Sequence, residues 1–472
     1  MTGHDLLALL PVLILALGAT AILMVGAWWP ARRPLLLAGV ALALVAALAA
    51  GGLTPPVAEI AGMFSAGPYA RFFTILWALL AALALLLSLR YGEERHFPAG
   101  EYPCLVLFSA AGMALLSSAT SLVGLLLGLE SFTLALYILI AIDKQGEQGM
   151  EAGLKYLIMG IVATGFIGFG AALVYCAGGT FHLPEALQVV ATAEGELRPL
   201  ALLGWAMLLC GLGFKISLVP FHLWTPDVYQ GAPSPVTALL SIGSKGAVFA
   251  ALVTALAGLP TLKGPLSEVL WLLAVATMLV GTLCALRQTN LKRMLAYSSI
   301  VHMGYLVVGL LAGGEAGQSA VLFYLVAYAA ASLGAFGIIT SFSLQGEEPQ
   351  DYHDLRGLGY HHPRRCTALA FFLLSLAGIP PTAGFLAKFG IFHAALRADY
   401  LGLALIGVFT SLLSVYYYLR PIIVLFMTKE RAVCLHPGVP AEQAVLALCA
   451  GVTLVFGIYP GPLFDLIRLV LP

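Results

Sequence analysis

Lys215, Lys245 and Lys388 each stand alone in a long apolar stretch. Lys215 is the only charged residue between Arg198 and Asp227, Lys245 the only one between Asp227 and Lys263, and Lys388 the only one between Arg365 and Arg397. Glu130 is likewise alone between Glu101 and Asp143. A charge at the centre of a bilayer costs roughly 2.5–3.5 kcal/mol on insertion scales. With Lys155, four lysines and a glutamate would cost on the order of 10 kcal/mol if left unpaired. Burial favours the neutral form of a lysine and a nearby carboxylate favours the charged form, so a lysine held between the two can load or lose a proton when its partner moves. His222 and His302 add side chains that titrate in the useful range, and Tyr297, Ser298 and Ser299 could link His302 to water. Each residue also has a plainer role open to it. These are an interhelical hydrogen bond for Glu130, a snorkelling side chain for Lys388, a helix end beside the charged segment Asp143–Glu151 for Lys155, and a neutral core position for either histidine.

The segment between Lys215 and Lys245 contains Pro220, Pro226, Pro233 and Pro235. A proline inside a helix removes a backbone hydrogen bond. In lipid such a break survives only where it is buried in protein or lines a wet cavity. Two lysines flanking a broken helix therefore point to an ion path.

The elements that position these groups are membrane helices. Of 472 residues, 61% are hydrophobic and 10% charged, against about 25% charged in soluble domains. Apolar runs of about 20 residues recur from end to end, each long enough to span a bilayer. The alternating pattern of a membrane barrel is absent. The fold expected is all-α and polytopic, with fourteen spans at about 5–28, 34–51, 71–90, 103–118, 120–142, 153–176, 200–219, 235–258, 266–286, 293–312, 318–344, 366–395, 400–427 and 441–462. The first is expected to be a retained helix, because no Lys or Arg precedes its apolar run. The odd-numbered loops hold fourteen of the 23 Lys and Arg, the even-numbered loops and C-terminus five. By the positive-inside rule the odd loops are cytoplasmic and both termini lie on the other side. The seven cysteines form no C-x-x-C pair, so no zinc site, iron–sulfur cluster or disulfide framework is expected, and most should be small core residues. No basic stripe suggests nucleic acid, and no nucleotide fingerprint, P-loop or nucleophile elbow is present.

Transporters are often built from inverted repeats. At a shift of 168, Leu127, Ser131 and Tyr137 fall on Leu295, Ser299 and Tyr305, and Leu154, Tyr156 and Leu157 on Leu322, Tyr324 and Leu325. At a shift of 160, Pro220 falls on Pro380. Spans four to eight thus repeat as nine to thirteen, and because five is odd the copies are inverted. Each contains one proline-broken helix. The expected organisation is a single integral membrane domain over 1–472: three N-terminal helices (1–100), a first repeat (103–258), an inverted second repeat (266–428) and a C-terminal helix (441–472).

The segments KISLVPFHLWTPDVYQGAPSPVTALLSIGSK at 215–245, LKRMLAYSSIVHMGY at 291–305 and GIPPTAGFLAKF at 378–389 resemble the antiporter-like membrane subunits of respiratory complex I, the proton-translocating NADH–quinone oxidoreductase. The resemblance runs from about residue 100 to 428. Within these subunits Lys388, where chain M has a glutamate, and the run Pro380–Pro381–Thr382 resemble the chain N family. The multi-subunit cation/proton antiporters share the long motif and are the alternative. The resemblance implies that Glu130 tunes Lys215, that Lys245 passes protons along the membrane, and that Lys388 is the terminal group on the exit side. Lys155 matches a sixth-helix lysine, and His222 and His302 match polar residues of a central axis. It implies no cofactor in this chain, with NADH, flavin, iron–sulfur clusters and quinone in other subunits. The implied partners are chains M and L, the small chain K, the redox arm and the lipid of a bacterial inner membrane.

Overall fold

The computed structural model describes residues 3–472 except 56, 145, 193–194, 196, 258–263, 344–347 and 428–437. Lys263, Lys429 and Arg431, counted in the charge bias, lie outside the described residues, as do the expected span ends at 258 and 344. Leu and Ala, both strong helix formers, dominate the apolar runs, and in lipid an open segment satisfies its own backbone only as a helix.

In chain order the elements are α1 (Gly3–Trp28), α2 (Arg32–Gly52), a short hairpin of β1 (Glu59–Ile60) and β2 (Phe64–Ser65), α3 (Pro68–Glu94), α4 (Glu101–Ser117), α5 (Leu122–Ile140), α6 (Glu147–Gly178), α7 (Leu183–Thr192), α8 (Leu197–Lys215) and α9 (Trp224–Gly231). Then come α10 (Ser234–Leu239), a π-helical turn at Leu240–Ser244, α11 (Lys245–Ala255), α12 (Pro265–Leu286), α13 (Leu291–Ala312), α14 (Gly314–Ser341), α15 (Leu358–His361), α16 (Pro363–Ala377), α17 (Ala383–Arg397), α18 (Leu401–Met427), α19 (Pro440–Ile458) and α20 (Gly461–Val470). Among the described residues, 12 helices are long and apolar enough to cross a membrane, Ser234–Ala255 counting as one. The 17-residue α4 and the broken pair α16–α17 complete the fourteen expected. The hairpin and the short α7 and α15 fall in segments read from sequence only as connections, and the segment 441–472, expected as one C-terminal helix, is two, α19 and α20.

The two halves pack alike. α4 lies on α5 as α12 lies on α13, and α6 lies on α8 as α14 lies on α16 and α17. The span Ser234–Ala255, α13 and α14 form the almost wholly buried centre, while α1 and α19 sit on the rim.

Both expected breaks are present, each holding a cis X-Pro bond, Val219–Pro220 and Pro380–Pro381. The seventh span ends four residues earlier than expected, at Lys215, and resumes as α9. Its freed backbone groups find partners: Trp224 Nε1 donates to Phe214 O at 2.9 Å and Val219 N–H to Thr277 Oγ1 at 3.0 Å. Ser217 has a left-handed φ of 62°, a conformation that costs a non-glycine residue on the order of 1–2 kcal/mol, and its hydroxyl accepts from Thr225 at 2.7 Å. At the second break Gly378, with φ 87°, caps α16, as glycine does at helix C-termini.

Two residues expected among the loop charges are core groups. Arg90, in α3, pairs with Glu442 of α19 at 2.9 Å, and Lys292, in α13, pairs with Glu348 at 2.9 Å; all four side chains are buried. Of the six described cysteines, Cys104, Cys366 and Cys449 are buried, but Cys210 and Cys284 are half-buried and Cys176 is exposed.

Candidate functional site

The site is a row of buried groups running through both halves. Lys215 is the last residue of α8 and only 1% exposed. A cation in the last turn of a helix is favoured by the helix dipole. Nζ donates to Thr133 Oγ1 at 3.3 Å, lies 4.0 Å from Glu130 Oε1, and faces the Tyr137 ring at 5.9 Å. Thr133 lies one turn beyond Glu130 on α5, so one helix face holds both partners. Thr164 of α6 donates to Glu130 Oε1 at 2.5 Å. Glu130 is therefore less enclosed than its apolar setting suggested: its side chain is 32% exposed in this chain alone.

Lys245 is fully buried and directly follows the π-helical turn. Such turns recur at functional sites. Its Nζ donates to Ser299 Oγ at 2.7 Å, and Ser299 in turn meets the Tyr229 hydroxyl at 3.1 Å. The ammonium also faces the rings of Tyr229 at 5.1 Å and Trp224 at 5.9 Å. Aromatic faces attract cations, most strongly when both are desolvated.

Lys388 does not snorkel. It turns back across the second break, where Nζ donates to Ala377 O, the last carbonyl of α16, at 2.8 Å and to Ser411 Oγ at 3.1 Å. It also faces the Tyr305 ring at 5.5 Å. Lys215 belongs to the half-helix before its break and Lys388 to the half-helix after its own. Lys388 presents its ammonium to the carbonyl end of its leading half, whereas the Lys215 ammonium turns to α5.

α13 joins the two. Ser299, His302 and Tyr305 follow at three-residue intervals on one face, and touch Lys245, the tyrosine cluster and Lys388 respectively. His302 is buried, with Nδ1 2.5 Å from the Tyr324 hydroxyl and Nε2 3.0 Å from that of Tyr418. Tyr418 also hydrogen-bonds Ser298, and Tyr305 meets Thr410 Oγ1 at 3.2 Å.

The remaining candidates stand off this row. His222 is buried at the first break, with Nδ1 lacking a hydrogen-bond partner. Lys155 is 44% exposed and bonds Glu151 at 2.7 Å and Asp227 at 3.0 Å, while Arg293 bonds Asp227 at 2.8 Å.

A polar cavity of about 670 Å³ lies at the ends of these helices, lined by Arg95, Asp143, Gln230, Lys292 and Glu348 among others. There Lys292 Nζ donates to Ala232 O at 2.6 Å, Tyr91 donates to Glu348 at 2.6 Å, and Ser234 N–H donates to it at 3.1 Å. Thr133, Thr164, Tyr229, Tyr324, Tyr418, Ser411 and the Lys292–Glu348 pair were all missed in the sequence. The one readable signal was a hydroxyl residue three positions from a buried charge, as Thr133 is from Glu130.

A buried lysine row threaded through two inverted, broken helix bundles defines an antiporter-like membrane subunit. The family model described as NADH:quinone oxidoreductase/Mrp antiporter, TM, matches residues 119–414. A NADH-quinone oxidoreductase subunit N from Syntrophotalea carbinolica is 50% identical over 480 residues, covering 100% of both chains. The chain belongs to the NADH-quinone oxidoreductase subunit N family. A chain of respiratory complex I from Thermus thermophilus superposes with a TM-score of 0.83 at 34% identity, over 96% of this chain and 98% of that one. A chain of the Mrp complex from Dietzia sp. gives 0.85 at 22% identity, over 99% and 97%, which shows a shared fold.

Proposed function

We propose that this chain is a proton-translocating membrane subunit of NADH–quinone oxidoreductase, moving protons along Glu130, Lys215, Lys245 and Lys388 while NADH oxidation and quinone reduction take place in other subunits. One observation carries the relay: three lysines are no more than 5% exposed, and each is held by hydroxyls, a carbonyl or aromatic faces rather than by a hydrogen-bonded carboxylate. Such ammonium groups are costly to keep unless they exchange protons. His302 belongs to the row by its contacts. His222 sits beside it at the first break, and Lys155 is the weakest member.

Residues 103–258 and 266–428 act as two inverted half-paths meeting at Lys245, between the helices 1–100 and 441–472. The odd-numbered loops face the cytoplasm of a bacterial inner membrane, and both termini face the other side. Flavin, iron–sulfur clusters and quinone belong to the redox arm and its neighbours. Chains M, L and K are the membrane partners.

A cation/proton antiporter subunit would share this fold, as the Dietzia chain does. Full-length identity with subunit N relatives favours the redox-driven reading. The test is Lys215→Met in the assembled complex. Coupled proton transfer should fall several-fold with subunit content unchanged; unaltered transfer and turnover would overturn the relay.

A further inference from the structure

Spans seven and eight meet at a tight turn, Ala232–Pro233, between α9 and α10. Two helix ends face each other there, and neither supplies its own cap. Pro233, which precedes α10, has no side chain able to cap it, and the Ser234 hydroxyl is buried without a hydrogen-bond partner among the described residues. The caps come from the second half of the chain, and both are charged. Lys292, at the start of α13, donates to Ala232 O at 2.6 Å. Glu348, in the segment after α14, accepts the Ser234 N–H at 3.1 Å. The two side chains close on each other at 2.9 Å and are 1% and 2% exposed. Carbonyl, ammonium, carboxylate and amide therefore form a closed loop across the turn, and Tyr91 of α3 steadies it by donating to Glu348 at 2.6 Å.

The turn carries two members of the row. Tyr229 lies three residues before Ala232, and Lys245 lies eleven after Ser234. Ser299 of α13 meets both, and Lys292 stands two turns before Ser299 on the same face of that helix. α13 thus grips the same hairpin twice, at its turn through Lys292 and at its middle through Ser299. We propose that Lys292 and Glu348 are positioning residues: they clamp the turn between spans seven and eight and so hold Tyr229 and Lys245 against Ser299. This rests on the lysine-relay reading above. Eleven helical residues advance about 16 Å, so a tilt of about 4° at Ser234 carries Lys245 by about 1 Å. A misplacement of that size can cost up to about 100-fold where groups must meet. The clamp acts through geometry and is not a further relay station, because buried Leu295 and Ala296 fill the face of α13 between Lys292 and Ser299.

The discriminating variant is Lys292→Met with Glu348→Leu. Apolar packing can replace a buried ion pair without loss of stability, but it supplies neither the donor for Ala232 nor the acceptor for Ser234. The assembled complex should contain this chain in normal amount and translocate protons several-fold more slowly, with density that places Lys245 Nζ beyond hydrogen-bond distance of Ser299. A merely structural pair predicts that assembly and translocation recover together. Ser234→Pro removes the amide donor alone and keeps the ion pair. The first residue of a helix tolerates proline, and Pro233 already has the extended ψ, 139°, that suits a residue before proline. This variant should slow translocation several-fold too, and it decides the matter if the double variant does not assemble. Wild-type translocation in either assembled variant, or slower translocation with the Lys245–Ser299 bond intact, would overturn the clamp; the relay stands if Lys245→Met loses translocation. If Lys245→Met also matches wild type, relay and clamp fall together.

Discussion

Glu130 Oε1 and Lys215 Nζ stand 4.0 Å apart, near enough for Coulomb attraction and too far for a hydrogen bond. Each instead bonds a threonine, Thr164 and Thr133 respectively. Small rotations of two hydroxyls can therefore open or close the pair. At 4 Å and an effective dielectric of 20 the attraction is about 4 kcal/mol, reduced here because Glu130 is partly exposed. Glu130→Gln removes that attraction and keeps the shape. We expect coupled proton translocation to fall several-fold with normal assembly on native gels, and Glu130→Asp to fall between. Equal rates for Glu130→Gln and wild type would remove the pair from the mechanism.

Lys155 should behave differently. Its partners Glu151 and Asp227 are themselves exposed side chains, and exposed pairs contribute about 0–1 kcal/mol. Lys155→Ala should shift the melting temperature of the complex little and reduce proton translocation far less than Lys215→Ala. Equal losses in vesicle assays would place Lys155 back on the path.

The broken helices were legible because proline acts locally: Pro220 and Pro380 each mark the end of a helix within a few residues. The buried lysines were legible because a lone charge in an apolar run stands out. Their partners were not, because they come from other helices. Thr164 lies 34 residues from Glu130, and Ser411 lies 23 from Lys388. Nothing local distinguishes a serine that meets a lysine from one bonding its own helix, as Ser109 does to Leu105 O. Arg90 and Lys292 misled for a related reason. Both sit near helix ends rich in charge, and their acidic partners are 352 and 56 residues away, so their burial could not be read.

Glu348 offers a pH test. Burial would raise its carboxyl, but the charges of Lys292 and Arg95, with hydrogen bonds from Tyr91 and Lys292, bring it down to about 2 from an ordinary 4.5. A lowered carboxyl contributes stability that is fully present above the unfolded value and lost as pH falls through the folded one. The contribution should hold above about pH 4.5 and fade toward pH 2, and Glu348→Gln should flatten that part of the stability curve. At neutral pH the same variant leaves Lys292 buried without its anion, a loss typically of about 3–5 kcal/mol. Lys292→Met with Glu348→Leu should recover much of it, read as the interaction energy of a double-mutant cycle in thermal unfolding. An additive double mutant would mean that the two charges do not act as a pair.

Gly384 tests whether the second break must close as it does. A Cβ there would sit 1.9 Å from Ser375 O and 2.9 Å from Ser375 Oγ. The obstacle is mostly backbone, so no side-chain rotation relieves it. Forcing extra volume into a packed site typically costs about 1–3 kcal/mol, and here the displaced elements are the end of α16 and the start of α17. Those ends set the distance from Lys388 Nζ to Ala377 O, now 2.8 Å. Gly384→Ala should therefore lower both thermal stability and proton translocation, although alanine is the better helix former. Gly168→Ala on α6 is the matched control, because its added methyl meets only Leu126 Cδ2 at an ordinary 3.9 Å. If both variants translocate protons at the wild-type rate, the close approach of α16 and α17 does not position Lys388.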